Sequence, residues 1–226
     1  MYSENSAITK SLVTAVIPFY NPERIFAEVI EDTLPKVDYL ILVDDGSTQN
    51  VDHYLLNSSK IFMLKNLTNL GKGAALRIGF EKALELGSKY IVTLDSDYQH
   101  EPKYIPTFLE ALKNSQFVIG KRNFSFSKMP FMRVLSNTIT SLVLSIKTRQ
   151  KIYDSQSGYR GFDARILRKI LPVTNEFEAE SEMILKAAGN KIPISFIDIS
   201  TKYDNQKSSI KAFNAIINFI KVILKY

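Results

Sequence analysis

The chain has 226 residues, the size of one large domain, and 45% of them are apolar, including 14 phenylalanines and 11 tyrosines. That content can form a substantial core and argues against a disordered chain. The absence of cysteine excludes disulfide bonds and thiolate metal sites and is consistent with a reducing compartment. We expect no signal peptide, because residues 1–11 are polar, and no stretch reaches the length of a membrane span.

The net charge of +6 is unevenly distributed along the chain. Residues 111–153 contain eight lysines or arginines and no acid, and residues 205–226 contain four lysines and no acid. Basic surface of this kind suits nucleic acid, an anionic membrane surface or phosphorylated substrates, but it is also found on ordinary solvated faces.

Strand and helix patterns alternate through the first half of the chain. Strands are predicted at residues 12–18, 38–46, 61–65, 89–94 and 117–120, and helices at about 23–33, 50–57, 71–87 and 102–113. This alternation predicts an α/β fold with a Rossmann-like, mostly parallel sheet and helices on both faces. Ligands bind such sheets beyond the carboxyl ends of the strands. Four segments should therefore converge on one edge: residues 18–21, 44–47, 95–99 and 120–123.

The second half of the chain has a different pattern. Residues 129–147 are largely apolar with basic residues near both ends, and "DSQSGYRGF" reads as a turn followed by a short strand. Further elements are predicted as a helix at 176–188, a strand at 192–200 and a helix at 210–226. The last helix has one narrow polar stripe, formed by Lys211, Asn214, Asn218, Lys221 and Lys225. Both apolar segments suit amphipathic helices at a membrane interface, or helices that pack on the core or on a second subunit.

Two aspartates follow an apolar strand in the stretch "YIVTLDSDYQHEP". Asp95 and Asp97 are spaced to share a hard divalent cation such as Mg²⁺ or Mn²⁺, and Gln99 adds a neutral oxygen. Such ions often complete their shells with substrate phosphates. Most triplets of this kind are simply loop or capping carboxylates, so the pattern alone leaves both interpretations open.

Two further loops carry candidate nucleotide ligands. Asp44 and Asp45 end the second predicted strand, where a carboxylate can accept hydrogen bonds from a base or ribose, although an Asp-Gly turn explains them equally well. "NLGKGAALRIG" is not the G-x-x-x-x-G-K-[ST] phosphate loop. Its glycines fit a tight helix entry, and Lys72 is a candidate phosphate ligand.

Three arginines in the basic half are candidate phosphate ligands, because guanidinium groups bind phosphate through paired hydrogen bonds. They are Arg122, Arg133 and Arg160. Each alone is also typical of an ordinary surface. Asp154 lies close to Arg160 in sequence, within the same predicted turn.

Seven stretches occur in a characteristic order: "VIPFYNP", "LVDDGST", "NLGKGAAL", "TLDSDYQHEP", "GKR", "DSQSGYRGF" and "FEAESEMILKAA". Together they resemble the family-two inverting glycosyltransferases of the GT-A fold. Among these, the chain is most similar to the dolichol-phosphate mannose synthase group, which glycosylates polyprenyl phosphates. The resemblance covers most of the chain, about residues 12–203. It implies one domain over residues 1–226, with a nucleotide-sugar half at about 12–120 and an acceptor half at about 121–226.

The resemblance also implies roles for individual residues. Donor binding is assigned to Pro18, Tyr20, Asp44, Asp45, Lys72, Asp95 and Ser96. The metal, Mg²⁺ or Mn²⁺, is assigned to Asp95, Asp97 and Gln99. The acceptor phosphate is assigned to Arg122, Arg133 and Arg160, and the catalytic set is Asp97, Arg122 and Arg160. Glu180 or Glu182 matches a family helix near the acceptor side.

This sequence departs from the family pattern at three positions. Ser96 and Tyr98 stand where alanine and glycine are usual, and Pro22 stands where many members have glutamate. We expect Tyr98 to alter the shape of the sugar pocket.

The expected reaction is metal-dependent transfer of a sugar from a GDP- or UDP-sugar to a polyprenyl phosphate. An acceptor phosphate is already anionic and needs no general base, which agrees with the lack of an obvious one at His53 or His100. The alternative acceptor is a saccharide hydroxyl, which needs a base, with Asp154 or a "FEAESE" glutamate as the candidate.

The expected reaction also predicts the localisation and the partners of the protein. We expect a cytoplasmic protein that associates peripherally with the cytoplasmic face of the membrane. The sequence is compatible with a homo-oligomer but does not decide the oligomeric state. Nucleic acid is not an expected partner, because no nucleic-acid-binding motif is present. A dehydrogenase is disfavoured, because G-x-G-x-x-G is missing after the first strand.

Overall fold

The structure, a computed structural model, describes residues 11–122, 131–201 and 212–226, without the side chains of 131–133 and 212–216. Seven strands lie in these ranges: β1 Val13–Phe19, β2 Tyr39–Asp44, β3 Ile61–Lys65, β4 Tyr90–Thr93, β5 Phe117–Arg122, β6 Arg160–Asp163 and β7 Ile194–Ile199. The helices are α1 Phe26–Thr33, α2 Lys72–Glu85, α3 Ile105–Leu112, α4 Phe131–Thr148, α5 Ala164–Ile170, α6 Ala179–Gly189 and α7 Ala212–Lys225.

The strands form one mostly parallel sheet in the order β3-β2-β1-β4-β6-β5-β7. Only β6 is reversed, since it runs antiparallel to both β4 and β5. Arg160, the first residue of β6, therefore pairs with Thr93, the last residue of β4. As a consequence, the turn that precedes β6 lies at the same edge as the carboxyl ends of the parallel strands, where ligands are expected.

The sheet is buried on both faces because its inner strands are continuous apolar runs. In β1, Val16 packs into one core cluster while Ala15 and Ile17 pack into the other, as the alternation of strand side chains requires. Helices α2, α5 and α6 contribute to the first cluster, and α1 and α3 contribute to the second. Helix α6 packs against both α4 and α7.

Several element boundaries differ from the sequence prediction. The first strand continues through Pro18, which is tolerated because its neighbour β4 has already ended opposite Val16 and no ladder bond is lost there. The helix predicted at 50–57 is only a 3₁₀ turn, Asp52–Tyr54. Helix α6 begins at Ala179 rather than at residue 176, and the fifth strand extends to Arg122.

Helix α5 was not predicted from the sequence. It starts directly after β6, where the Asp163 side chain accepts a hydrogen bond from the Arg165 amide and caps the helix. Its buried residues, Ile166, Leu167 and Ile170, have helical spacing, but the element is only seven residues long. So short a run gives a weak periodic signal.

Candidate active site

The carboxyl ends of β1, β2 and β4 lie side by side, as predicted for the ligand edge. The register aligns Phe19 with Asp44, and Thr93 lies two residues before Asp95. Tyr20, just beyond β1, has 46% of its surface exposed, so it stays available to a ligand. Pro18 is buried in β1, and Ser96 is partly exposed beside the two aspartates.

Lys72 bridges two carboxylates at this edge. Its Nζ lies 2.6 Å from Asp95 Oδ1 and 2.8 Å from Glu180 Oε1. Burial opposes the lysine charge, but the two carboxylates outweigh it and hold the pKa of Lys72 above its ordinary value. Burial would likewise raise the pKa of Asp95, and the Lys72 ammonium overrides that effect and lowers it. This triad of Lys72, Asp95 and Glu180 thus connects the start of α2, the loop after β4 that carries the predicted metal ligands, and helix α6.

The N-terminus of α2, where Lys72 is the first residue, is already capped by the protein. The carbonyl oxygen of Asn175 accepts hydrogen bonds from the amides of Gly73 and Ala74, at 2.6 and 3.1 Å. A side chain at Gly73 would meet Thr174 O at 2.4 Å, which shows how closely the two backbones approach. A phosphate at this edge would therefore meet the Lys72 ammonium rather than these two amides.

Asp95 lies directly against the backbone of Gly158, in the turn before β6. A Cβ atom at Gly158 would lie 2.4 Å from Asp95 Oδ2 and 2.6 Å from Oδ1. The Thr93 hydroxyl donates to the carbonyl oxygen of Gly158 at 2.7 Å and so holds the turn against the end of β4. A glycine is needed here because its missing side chain is the space that the carboxylate fills.

Asp97 and Gln99 form a compact pair on the same loop. The backbone amide and the side-chain Nε2 of Gln99 donate to Asp97, at 3.1 and 2.7 Å. Burial, followed by the charge of nearby Asp95, raises the pKa of Asp97 to about 6. Two partly buried carboxylates that repel each other are an environment in which a cation is stabilising.

The residues present fit a divalent cation of the Mg²⁺ or Mn²⁺ type. Asp95, Asp97 and Gln99 supply carboxylate and amide oxygens, the ligands that these ions prefer. The described residues contain no cluster of three or more histidines and carboxylates arranged for a metal. A cation held here would therefore take the rest of its shell from water and ligand oxygens, as Mg²⁺ commonly does.

Arg122 and Asp154 form a buried ion pair beside the site. The Nε and Nη2 atoms of Arg122 lie 2.7 and 2.8 Å from the two Asp154 oxygens, and the Arg122 amide donates to Oδ2 at 3.2 Å. Asp154 is fully buried and Arg122 nearly so. Both oxygens of Asp154 are thus used by arginine, and this geometry does not favour Asp154 as a general base.

Arg160 binds three backbone carbonyls. Its guanidinium donates to the carbonyl oxygens of Ser157, Glu180 and Ser155 at 2.7 to 2.8 Å, and the side chain is 2% exposed. All three donating nitrogens face the turn and helix α6. The predicted contact of Arg160 with an acceptor phosphate stays a prediction, which this conformation does not support.

The two aspartates after β2 have different surroundings. Asp45 accepts hydrogen bonds on both oxygens, from the Asn66 side chain and from the amides of Leu70 and Gly71, and so shapes the loop before α2. Asp44 Oδ1 accepts from the Ser47 amide, whereas Oδ2 has no hydrogen-bond partner in the described part of the chain and lies 3.6 Å from Lys65 Nζ. Of the two predicted donor ligands, the geometry favours Asp44.

The side chain of Tyr98 contacts helix α1. Its hydroxyl donates to Asp32 in the last turn of α1, and its backbone has φ = 56°, a left-handed conformation that is uncommon for a tyrosine. The side chain thus anchors the loop to α1, and the expected effect of Tyr98 on the shape of a sugar pocket stays a prediction.

Of the remaining candidate residues, two have buried side chains and one has a side chain that lies outside the described part of the chain. His100 is buried, which lowers its pKa to about 4 and keeps it neutral near pH 7. Glu182 is fully buried, and burial would raise its pKa, but hydrogen bonds from Lys186, Thr174 and Tyr226 lower it to about 2. The Arg133 side chain lies outside the described residues, as do Lys211 and residues 123–130.

The sequence predicted most of the residues at this site but not the contacts between them. Glu180 was placed only vaguely near the acceptor side, and its pairing with Lys72 joins segments 108 positions apart in sequence. Gly158 was quoted within a motif, but its contact with Asp95 depends on the reversed direction of β6. A signal was present in each motif, but a single sequence does not show which motifs touch.

The family model described as "Glycosyl transferase family 2" matches residues 14–171, well over half of the chain. The chain belongs to glycosyltransferase family 2. It is therefore an enzyme that transfers glycosyl groups, as its motif order predicted. Its seven-stranded sheet is that of the GT-A fold, which confirms the predicted fold class.

Two named relatives of this glycosyltransferase match most of its length. It is 29% identical to the UDP-N-acetylglucosamine–dolichyl-phosphate N-acetylglucosaminyltransferase of Methanococcus voltae, over 92% of each chain. It is 30% identical to the undecaprenyl-phosphate mannosyltransferase of Micrococcus luteus, over 70% of this chain and 69% of the relative.

A solved structure shares the fold of this glycosyltransferase at low sequence identity. It is the glucosyl-3-phosphoglycerate synthase of Mycobacterium tuberculosis, in complex with Mn²⁺, UDP and phosphoglyceric acid. The two match with a TM-score of 0.77 and 18% identity, over 96% of this chain and 78% of that one.

Proposed function

We propose that this glycosyltransferase moves a sugar from a GDP- or UDP-sugar to a polyprenyl phosphate, with inversion at the anomeric carbon. One observation carries the choice of acceptor. Three of the four carboxylates considered as a general base are held by a cation: Asp154 by Arg122, Glu180 by Lys72 and Glu182 by Lys186. The fourth, Glu178, is the N-cap residue of α6. A sugar hydroxyl needs a base to accept its proton, whereas a phosphate arrives already ionised.

The proposed reaction requires no proton transfer from the acceptor. A phosphate oxygen attacks the anomeric carbon, the bond from that carbon to the donor diphosphate breaks, and the diphosphate leaves with the electron pair. Arg122, at the edge of this site, is the proposed cationic residue for the acceptor phosphate, together with Arg133. Lys72 and Asp44 are the proposed contacts to the donor's diphosphate and nucleoside.

Asp95, Asp97 and Gln99 are the proposed holders of Mg²⁺ or Mn²⁺. A divalent cation there would offset the negative charge that develops on the leaving diphosphate. The support comes from the oxygen ligand set, from the mutual repulsion of the two carboxylates, and from Mn²⁺ and UDP in a structure of the same fold.

The acceptor also suggests where this enzyme works, since a polyprenyl chain lies in a bilayer. Helix α4 has a stripe of apolar side chains that are exposed, namely Leu135, Ile139, Leu142 and Ile146. The helix carries no acid, which suits an anionic membrane surface. None of the helices in the described parts of the chain combines the length and apolar character needed to cross a bilayer.

The exposed apolar stripe of α4 supports peripheral association with a membrane, and the cytoplasmic face is part of the proposal. The proposal also includes the division into a donor half at about 12–120 and an acceptor half at about 121–226, since the metal loop lies in the first and α4 in the second.

A transfer assay tests the proposed reaction. Purified protein is incubated with Mn²⁺, radiolabelled UDP- and GDP-sugars, a short polyprenyl phosphate and a soluble oligosaccharide, and the products are extracted into organic solvent. We expect label in the lipid fraction, and none with Asp97→Ala. Glu110→Gln, an exposed acid on α3, is the matched control and should retain the product. Label that appears only on soluble saccharides would overturn the proposed acceptor in favour of the hydroxyl alternative.

A further inference from the structure

The cation beside Asp95 in this structure belongs to the chain itself. Lys72 Nζ lies 2.6 Å from Asp95 Oδ1, so the ammonium already pairs with a carboxylate that would hold the proposed metal. A divalent cation bound to the same carboxylate would strongly repel an ammonium at hydrogen-bond distance from it. The two cations therefore compete for Asp95.

The three members of this triad differ in how freely they can move. The Asp95 carboxylate is held against the backbone of Gly158, and the carbonyl of Glu180 is fixed by Arg160 at 2.7 Å. Lys72 ends a flexible four-carbon stem. The ammonium is therefore the group that yields when a second cation arrives, and Glu180 Oε1, 2.8 Å away, is the partner that remains.

We propose that Lys72 is the resident counter-ion of the metal site, and that Glu180 is a positioning residue that retains Lys72 when a divalent cation takes Asp95. This rests on the proposed function, because it uses the metal site assigned there. Glu180 then does two things at once. It reduces the competition for Asp95, and it keeps a second positive charge beside the place where the diphosphate would lie.

The test measures Mn²⁺ binding to the purified protein without donor or acceptor, with free Mn²⁺ followed by electron paramagnetic resonance. In Glu180→Gln the ammonium loses one of its two carboxylate partners and keeps Asp95, and we expect the Mn²⁺ Kd to rise about tenfold. In Lys72→Gln the competitor is gone, and we expect the Kd to fall by a similar factor. Adding Glu180→Gln to Lys72→Gln should have little further effect, because Glu180 acts through Lys72.

Matched controls come from a pair on the same helix. Lys82 and Glu85 form an exposed ion pair in α2, so Lys82→Gln and Glu85→Gln change the charge equally without touching the triad. Both should leave the Mn²⁺ Kd unchanged within about twofold. Glu180→Asp keeps the charge but withdraws it from Lys72, and it should give an intermediate Kd. It also serves as the informative variant where circular dichroism shows that Glu180→Gln does not fold.

The outcomes separate this inference from the function on which it rests. If Glu180→Gln weakens Mn²⁺ binding equally in the presence and absence of Lys72, the Glu180 charge acts on the metal directly, and the proposed role of Glu180 through Lys72 is overturned. A Lys72→Gln variant that binds Mn²⁺ no more tightly would overturn the competition. Wild-type binding that Asp97→Asn does not reduce would remove the metal site itself, and the metal dependence of the proposed function with it.

Discussion

Replacing Gly158 with alanine tests whether the position of Asp95 controls the reaction. The new Cβ would lie 2.4 Å from Asp95 Oδ2, whereas ordinary carbon contacts begin near 3.5 Å, so the carboxylate must move by about 1 Å. Gly158 has no left-handed backbone angle, so alanine adds no backbone strain of its own. The effect should come from this one collision.

The expected loss in kcat/KM is about 100-fold, because a displacement of about 1 Å at a reacting centre has roughly that effect. This corresponds to about 2.7 kcal/mol of transition-state stabilisation. Overpacking should cost about 1 to 3 kcal/mol of folding free energy, which leaves the protein folded at 25 °C. Mn²⁺ affinity should fall along with activity.

The assay is steady-state transfer to polyprenyl phosphate, with circular dichroism melting on the same samples. Gly189→Ala is the matched control, because a Cβ at the end of α6 would meet no atom within 4 Å. It should keep wild-type kcat/KM and stability. Wild-type activity and Mn²⁺ affinity in Gly158→Ala would refute the reasoning, since Asp95 would then be free to relax without consequence.

Three further predictions concern charge and surface. The pKa of Glu182 is lowered to about 2 in the folded state, so this residue stabilises the fold above pH 4.5 and loses the effect as the pH falls toward 2. Glu182→Gln should therefore lower the free energy of unfolding by about 1 to 3 kcal/mol at pH 7. Denaturant titrations in which the variant loses as much unfolding free energy at pH 3 as at pH 7 would contradict this. Asp154→Ala should destabilise the protein by about 3 to 5 kcal/mol because it removes the carboxylate that is paired with the buried Arg122 guanidinium. Arg122→Met combined with Asp154→Leu should regain stability but not activity. A loss below about 1 kcal/mol in thermal melts of Asp154→Ala would argue against the first part. Replacing Ile139 and Ile146 with glutamine should reduce flotation with anionic liposomes about tenfold or more, since two exposed apolar side chains are removed, and unchanged flotation would exclude this face of α4 as the contact.

Apolar runs and motif order predicted most of the architecture. Strands such as β1 and β2 are continuous apolar segments, and buried parallel strands read in that way with little ambiguity. The direction of β6 was not predictable, because a four-residue strand after a turn pairs equally well in either sense. That one direction places Gly158 against Asp95 and Arg160 opposite Thr93.

The candidate site was predictable as a set of residues but not as a set of contacts. Asp45 and Arg160 have the residue types of ligand-binding groups, yet both are used to hold the protein's own backbone. Composition does not distinguish these uses, because a buried carbonyl or amide attracts the same side chain that a phosphate or a ribose would. Only the neighbours of each group in space decide between them.

Arg160 gives the turn before β6 an unusual dependence on one side chain. The carbonyls of Ser155, Ser157 and Glu180 all accept hydrogen bonds from this guanidinium, so moving the turn or the start of α6 alone would leave a buried guanidinium N–H unpaired. We therefore expect the turn and the start of α6 to open together, as one cooperative unit in hydrogen exchange. Such an event would release the backbone beneath Asp95 and the anchor of Lys72 at the same moment, so the donor and acceptor sides would lose their order together.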